Sequence, residues 1–239
     1  KFENGRYVIH DDCAGEVGPW LLHPDWATCP GNFNPMNDLG FLRATFKGLI
    51  DMSAELMVDA DRREKWQYIL DHLSAYPTTR HQGATVFRSA ENGLGQIAGW
   101  GTLTIWPAGQ IGLGSDPKLL QTSRNTIAWR GYSNHPLVAP AMARVGADPN
   151  TILSDLRKLC LENAYPNGYI FFAGGGVETA STVPATINEM LLQSHEGILR
   201  LFPVWPKNKN AQFDTLRAYG AFLVSSNFAN GRVTAFTIK

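Results

Sequence analysis

The chain has 239 residues, enough for one large domain, or for one domain and part of another, around a sizeable core. Its twenty-one basic and twenty-one acidic residues cancel, which excludes the electrostatic footprint of a nucleic-acid or anionic-membrane binder, and no apolar run is long enough to span a bilayer. Charged residues reach only 18% while aromatics reach 11%, a balance that points to a neutral partner and to surface meant to be covered.

From Asn34 to Asp59 the residues Leu42, Phe46, Leu49, Ile50, Leu56 and Met57 recur at three- and four-residue intervals, which predicts a helix with one buried face. Asp61 to Tyr76 reads as a second helix, with Trp66, Ile69, Leu70 and Leu73 inward and Pro77 as its stop. Thr78 to Gly114 reads as an extended loop region with two β-like runs, Ala84 to Phe87 and Thr102 to Trp106. Helices are predicted again at Asp116 to Arg130, with Pro117 in the first turn, at Pro136 to Val145 and at Asn150 to Asn163. The last has Thr182 as N-cap, a stripe of Val183, Ile187, Met190, Leu191 and Ser194, and Gly197 as C-cap. Strands follow at Ile198 to Val204, Thr215 to Ser225 and Arg232 to Ile238, with Asn230-Gly231 as a hairpin signal. The expected fold class is therefore mainly α. About six helices over 1–197, suited to half of a helical toroid, precede a short antiparallel β module over 198–239.

Cys13, Cys29 and Cys160 have neither zinc-ligand nor disulfide-scaffold spacing and read as incidental thiols, a Cys13 to Cys29 bridge being the alternative. The chain begins at Lys1 without a signal-peptide pattern, which suggests a processed or truncated piece.

Two carboxylates stand out. Glu178 follows Gly174-Gly175-Gly176, whose permissive backbone can aim it, and lies just ahead of the helix predicted from Thr182. The positive end of that helix favours the ionised form, so Glu178 suits a base, the alternative being a simple helix cap. Glu16 is flanked by Ala14, Gly15, Val17, Gly18 and Trp20, whose apolar surroundings raise its pKa and suit a general acid. Carboxyls pushed apart in pKa are the pattern of glycoside hydrolysis. The serine motifs lack a nucleophile elbow, Gly93-Leu94-Gly95 and Gly112-Leu113-Gly114 lack the context of a dinucleotide loop, and the histidines lack metal spacing. Trp20, Trp100 and Trp106 offer flat faces to a sugar ring, although tryptophan mainly supplies core area, and His81 and His135 are the histidines best suited to a pocket.

The run Glu189-Met190-Leu191-Leu192-Gln193-Ser194-His195-Glu196-Gly197 followed by Leu199-Arg200-Leu201-Phe202-Pro203 resembles the C-terminal signature of family-95 glycoside hydrolases. In that family a segment of the type IDGNFG precedes the motif, and its aspartate, which supports the catalytic base, falls on Glu178. Gly5-Arg6-Tyr7-Val8-Ile9 before Glu16 resembles the segment that leads into the general acid, and Trp106 to Ile111 resembles a Pro-Gly turn. The resemblance implies part of an (α/α)6 toroid plus the start of a β domain, and inverting exo-hydrolysis of an α-L-fucoside or α-L-galactoside-like terminal sugar. Glu16 would be the acid and Glu178 the base, with no metal or organic cofactor. It also implies an oligosaccharide or polysaccharide substrate, a periplasmic or secreted setting, and a missing N-terminal half or a second copy as partner. The family's His- and Arg-rich segment is replaced by Gln96 to Gly101, and its asparagine pair would precede Lys1; Asn32-Phe33-Asn34 mimics the pair on the wrong side of Glu16 and reads as loop. These departures keep two rivals open: a catalytically inactive carbohydrate-binding or scaffold relative, and another inverting toroid glycosidase or phosphorylase.

Overall fold

The computed structural model describes residues 1–10, 12, 33–92, 100–130, 138–167, 169 and 177–239, with backbone alone at 92, 100, 101, 130 and 177–180. The chain divides into two compact units, one comprising 1–110 and 121–129, the other 111–120 and 130–239.

In the first unit, β1 (Phe2–Glu3) and β2 (Arg6–Tyr7) form a hairpin whose Asn4-Gly5 turn has positive φ at both residues. β3 (Phe33–Pro35) leads directly into α1 (Met36–Leu56), so the helix starts two residues later than its periodicity predicts. A single 3-10 turn at Ala60–Arg62 opens α2 (Arg63–Asp71), which ends at His72 instead of continuing to Tyr76. The released segment serves pairing: Tyr7 N donates to His72 O at 2.7 Å and Tyr7 bridges Leu73. β4 (Thr78–His81) pairs with β5 (Ala84–Phe87) across Gln82-Gly83, both at positive φ, and β6 (Ala90–Asn92) pairs with β3. The expected strand over Thr102 to Trp106 is instead a 3-10 helix at Trp100–Thr104 followed by turns. α3 (Pro117–Arg130), of which residues 121–129 belong to this unit, starts one residue later than predicted, with Asp116 Oδ1 accepting from Lys118 N and Leu119 N at its start.

α1 packs on the 3-10 helix through Gly40. A methyl there would lie 2.5 Å from Oγ1 of buried Thr104, which is itself committed to Met36 O at 3.0 Å. Gly40→Ala should therefore lower stability by about 1–3 kcal/mol in a urea titration despite the better helix propensity of alanine, because the neighbour cannot yield. An unchanged or higher midpoint would show that this contact relaxes freely.

In the second unit, α4 (Val138–Arg144) is buried along its whole length, and α5 (Pro149–Asn163) starts at an Asp148 cap accepting from Thr151 N at 2.7 Å. Cys160 on α5 is a half-buried free thiol, whereas Cys13 and Cys29 lie outside the described residues. α6 (Val177–Leu191) begins before the expected Thr182 cap and carries Pro184 in its interior. Its end passes into β7 (Leu192–Gln193), which turns back through Gly197 to pair with β8 (Arg200–Leu201), so Gly197 belongs to a hairpin and not to a helix cap. β9 (Ala211–Arg217), β10 (Leu223–Ala229) and β11 (Arg232–Ile238) form an antiparallel sheet ordered β11-β10-β9. Alternate residues Val224 and Phe228 of β10 join Phe213, Phe202, Leu191 and Leu192 in one apolar core, with Phe202 at 5.3 Å from Phe213 and 5.0 Å from Phe228.

The mainly-α, half-toroid expectation is overturned. Among the described residues, six helices share the chain with five small antiparallel sheets, strands make up 24%, and no toroid is formed; the class is mixed α/β. Runs of two to four apolar residues satisfy helical and extended periods equally, so the turns at Asn4-Gly5, Gln82-Gly83 and His195 to Gly197 decided the outcome. Among the described residues no helix is long and apolar enough to cross a membrane.

Candidate functional site

The residues singled out in the sequence are not brought together among those described. Glu16, Trp20 and His135 lie outside the described residues. Glu178 falls inside the first turn of α6, one turn earlier than the expected N-cap allowed, and Trp100 opens the 3-10 helix; their side chains are likewise outside the description. His81 stands on β4 with its ring edge-on to Trp129 at 5.5 Å, and its Nε2 is buried without a hydrogen-bond partner among the described residues. Trp106 is half-buried and precedes the cis Pro107, where Gly109 at φ 64 completes the expected Pro-Gly turn.

The first unit does hold a carboxyl suited to acid chemistry, at a position the sequence reading passed over. Asp38 lies in the first turn of α1, preceded by Pro35, whose side chain cannot cap the helix. Burial first, and then the neighbouring Asp12 carboxylate, push it up to about 6 against the bond to its own backbone. The positive end of a helix acts in the opposite sense, so desolvation is the larger effect here. Its Oδ2 is buried with no hydrogen-bond partner among the described residues. The readable signal was an acidic residue followed by Leu39-Gly40-Phe41-Leu42, in apolar surroundings like those that drew notice to Glu16.

In the second unit the Glu189 to Pro203 block forms a polar network. Arg144 donates from Nε and Nη2 to Glu189 at 2.9 and 2.8 Å, a bidentate pair with side chains only 7% and 14% exposed. Gln193 Nε2 donates to Ala143 O at 3.1 Å and Glu189 O at 3.0 Å, tying α6 to the end of α4. Glu196 accepts from Gly114 N at 3.0 and 3.1 Å and lies 2.7 Å from Arg200 Nη1. Gly112 and Gly114 are required by this approach: a methyl on Gly112 would lie 2.2 Å from His195 Nε2, and one on Gly114 2.8 Å from Arg200 Nη2. The glycine pair thus serves packing. Arg144, missed in the sequence reading, was legible as a lone cation in the apolar run Val138 to Val145, where charge needs a partner.

The His195 side chain is 2% exposed and neither ring nitrogen has a hydrogen-bond partner among the described residues. Burial, then the Arg144 guanidinium and more weakly Arg200, push its pKa from 6.5 down to about 4 against the pull of Glu196. The unfolded chain therefore takes up this proton near pH 6.5 and the folded chain only near pH 4. The neutral imidazole contributes its full stabilisation above the higher value and loses it as pH falls towards the lower, an effect of about 3 kcal/mol. Urea midpoints between pH 7 and pH 4 should thus fall more steeply for the parent than for His195→Leu; parallel profiles would refute the assignment. Asp38, raised to about 6, contributes the opposite slope in the first unit, which is why the comparison is made with the variant.

Among the described residues, no group of three or more His, Cys, Asp or Glu gathers as metal ligands would. No family model matches the chain, and no curated protein matches it.

Proposed function

We propose that this chain hydrolyses a terminal glycoside, an α-L-fucoside or α-L-galactoside-like sugar, by acid-base catalysis with inversion. The resemblance of Glu189 to Pro203 and of Gly5 to Ile9 to family-95 glycoside hydrolases supports the substrate class. The observation that carries the acid-base chemistry is Asp38, a carboxyl whose pKa burial and the neighbouring Asp12 carboxylate raise to about 6. By the resemblance Glu16 is the acid and Glu178 the base, and Asp38 is a second carboxyl, within the first unit, suited to protonating a leaving oxygen. Neutral net charge suits an uncharged glycan substrate.

The test is release of reducing sugar from aryl α-L-fucosides and α-L-galactosides by the full chain, with the anomer of the product followed by proton NMR. Turnover should decline as pH rises through about 6, where the acid loses its proton. Glu178→Gln and Asp38→Asn should each lower turnover by about a hundredfold or more, the usual worth of a positioned acid or base. Full activity in Asp38→Asn returns the acid role to Glu16. No release between pH 4 and 7 from either substrate sinks the reading.

A further inference from the structure

Beyond the acid-base carboxyls, the second unit holds a separate cavity of about 280 Å³, of mixed polar and apolar lining, between the end of α6, Arg144 of α4 and the β9–β10 turn. We propose that it binds one neutral, polyhydroxylated ring, a single sugar unit of a glycan, as an accessory subsite. The Arg144–Glu189 pair forms one wall with its charges set against each other, and Arg217 adds a guanidinium whose N–H groups can donate to ligand hydroxyls. Gln193 lines the cavity and is 1% exposed. Both its donor bonds are committed, and its Oε1 has no partner among the described residues, an acceptor suited to a ligand hydroxyl. Turning the amide over would satisfy that oxygen only by sacrificing the bonds to Ala143 O and Glu189 O.

The mouth is preorganised. Tyr219 N donates to Ser194 Oγ at 3.0 Å and Ala218 N to Phe222 O at 2.9 Å, which pins the β9–β10 turn. Gly220 at φ +82 and Ala221 at φ 64 set its shape, and a side chain on Gly220 would meet the Phe222 ring at 2.8 Å. On this fixed turn Tyr219 lines the cavity yet stays 66% exposed. A large aromatic held in water beside a polar cavity offers the combination that sugars use, an apolar ring face with hydroxyl partners alongside. Asn188 at the rim adds an amide that can both donate and accept. The pocket chemistry asks for a small polyol of any kind; that this polyol is a sugar rests on the glycosidase reading.

The experiment is saturation-transfer-difference NMR on the full chain with L-fucose, L-galactose and myo-inositol at millimolar concentration, repeated on Tyr219→Ala, Asn188→Leu and Asp38→Asn. Transfer from a sugar that weakens about tenfold in Tyr219→Ala and in Asn188→Leu, and persists in Asp38→Asn, supports the subsite. Circular dichroism of the two rim variants confirms that they fold. Absence of transfer from all three probes, transfer from myo-inositol alone, or sugar binding unchanged in both rim variants overturns it. Sugar binding at this rim without any hydrolysis upholds the subsite while removing the glycosidase reading, so the two fail separately.

Discussion

Replacing Arg144 by methionine is expected to lower the unfolding free energy by about 3–5 kcal/mol, the cost of stranding one partner of a buried ion pair. The guanidinium holds Glu189 through two bonds of 2.9 and 2.8 Å, inside a helix whose every residue is buried. Methionine fills part of the volume but gives the carboxylate nothing. The double variant Arg144→Met/Glu189→Leu should recover most of the loss, because an apolar pair of similar volume avoids the desolvation that the ion pair has to offset. Urea titrations of the parent, both single variants and the double variant make the cycle. A single-variant loss below about 1 kcal/mol would place this pair with exposed ion pairs in energetic weight.

Asn34→Leu should cost about 3–4 kcal/mol, for two separable reasons. Asn34 is 0% exposed and serves three elements: its Oδ1 accepts from Ile9 N at 2.8 Å, and its Nδ2 donates to Ser74 Oγ at 3.0 Å and Glu91 Oε2 at 2.7 Å. Glu91 is held in turn by Arg6 through bonds of 2.8 and 2.6 Å. Leucine would leave Ile9 N without its acceptor and remove one donor from Glu91. The backbone adds a second cost, since φ is 49° at this residue, a region asparagine tolerates and leucine does not. Asn34→Gly removes the side-chain bonds while keeping the backbone at ease, so its loss should fall between the parent and Asn34→Leu. Equal midpoints for the glycine and leucine variants would show that backbone strain contributes nothing.

Asn34 is a residue whose role no local pattern encodes. As the third residue of Asn32-Phe33-Asn34 it reads as loop, yet it lies in β3 and is the buried junction with the segment after β2, the segment after α2, and β6. No local pattern marks such a residue, because its partners are 25, 40 and 57 positions away. Asp38 was hidden in the same way: an acid in a first helical turn is ordinarily an ionised cap, and only burial and the approach of Asp12 reverse that. Arg144 and Glu189 were each visible as a lone charge in apolar text, but their pairing across 45 positions was not.

What the amino-acid order determined by itself was the set of long elements and the chemistry of the punctuation between them. Pro117 at the start of α3, the Asp148 cap of α5 and the Asn230-Gly231 turn into β11 all act within a few residues, where capping and φ preference suffice, whereas the buried stripe expected of α1 fails at its end, Leu56 and Met57 being 66% and 86% exposed. Only the tertiary structure decided that α2 stops at His72 and that Leu192-Gln193 leaves the helix to pair with Arg200-Leu201. Those outcomes depend on hydrogen-bond partners supplied from elsewhere in the chain. A two-residue strand has no period of its own, and a buried charge takes its protonation from whatever the fold packs against it.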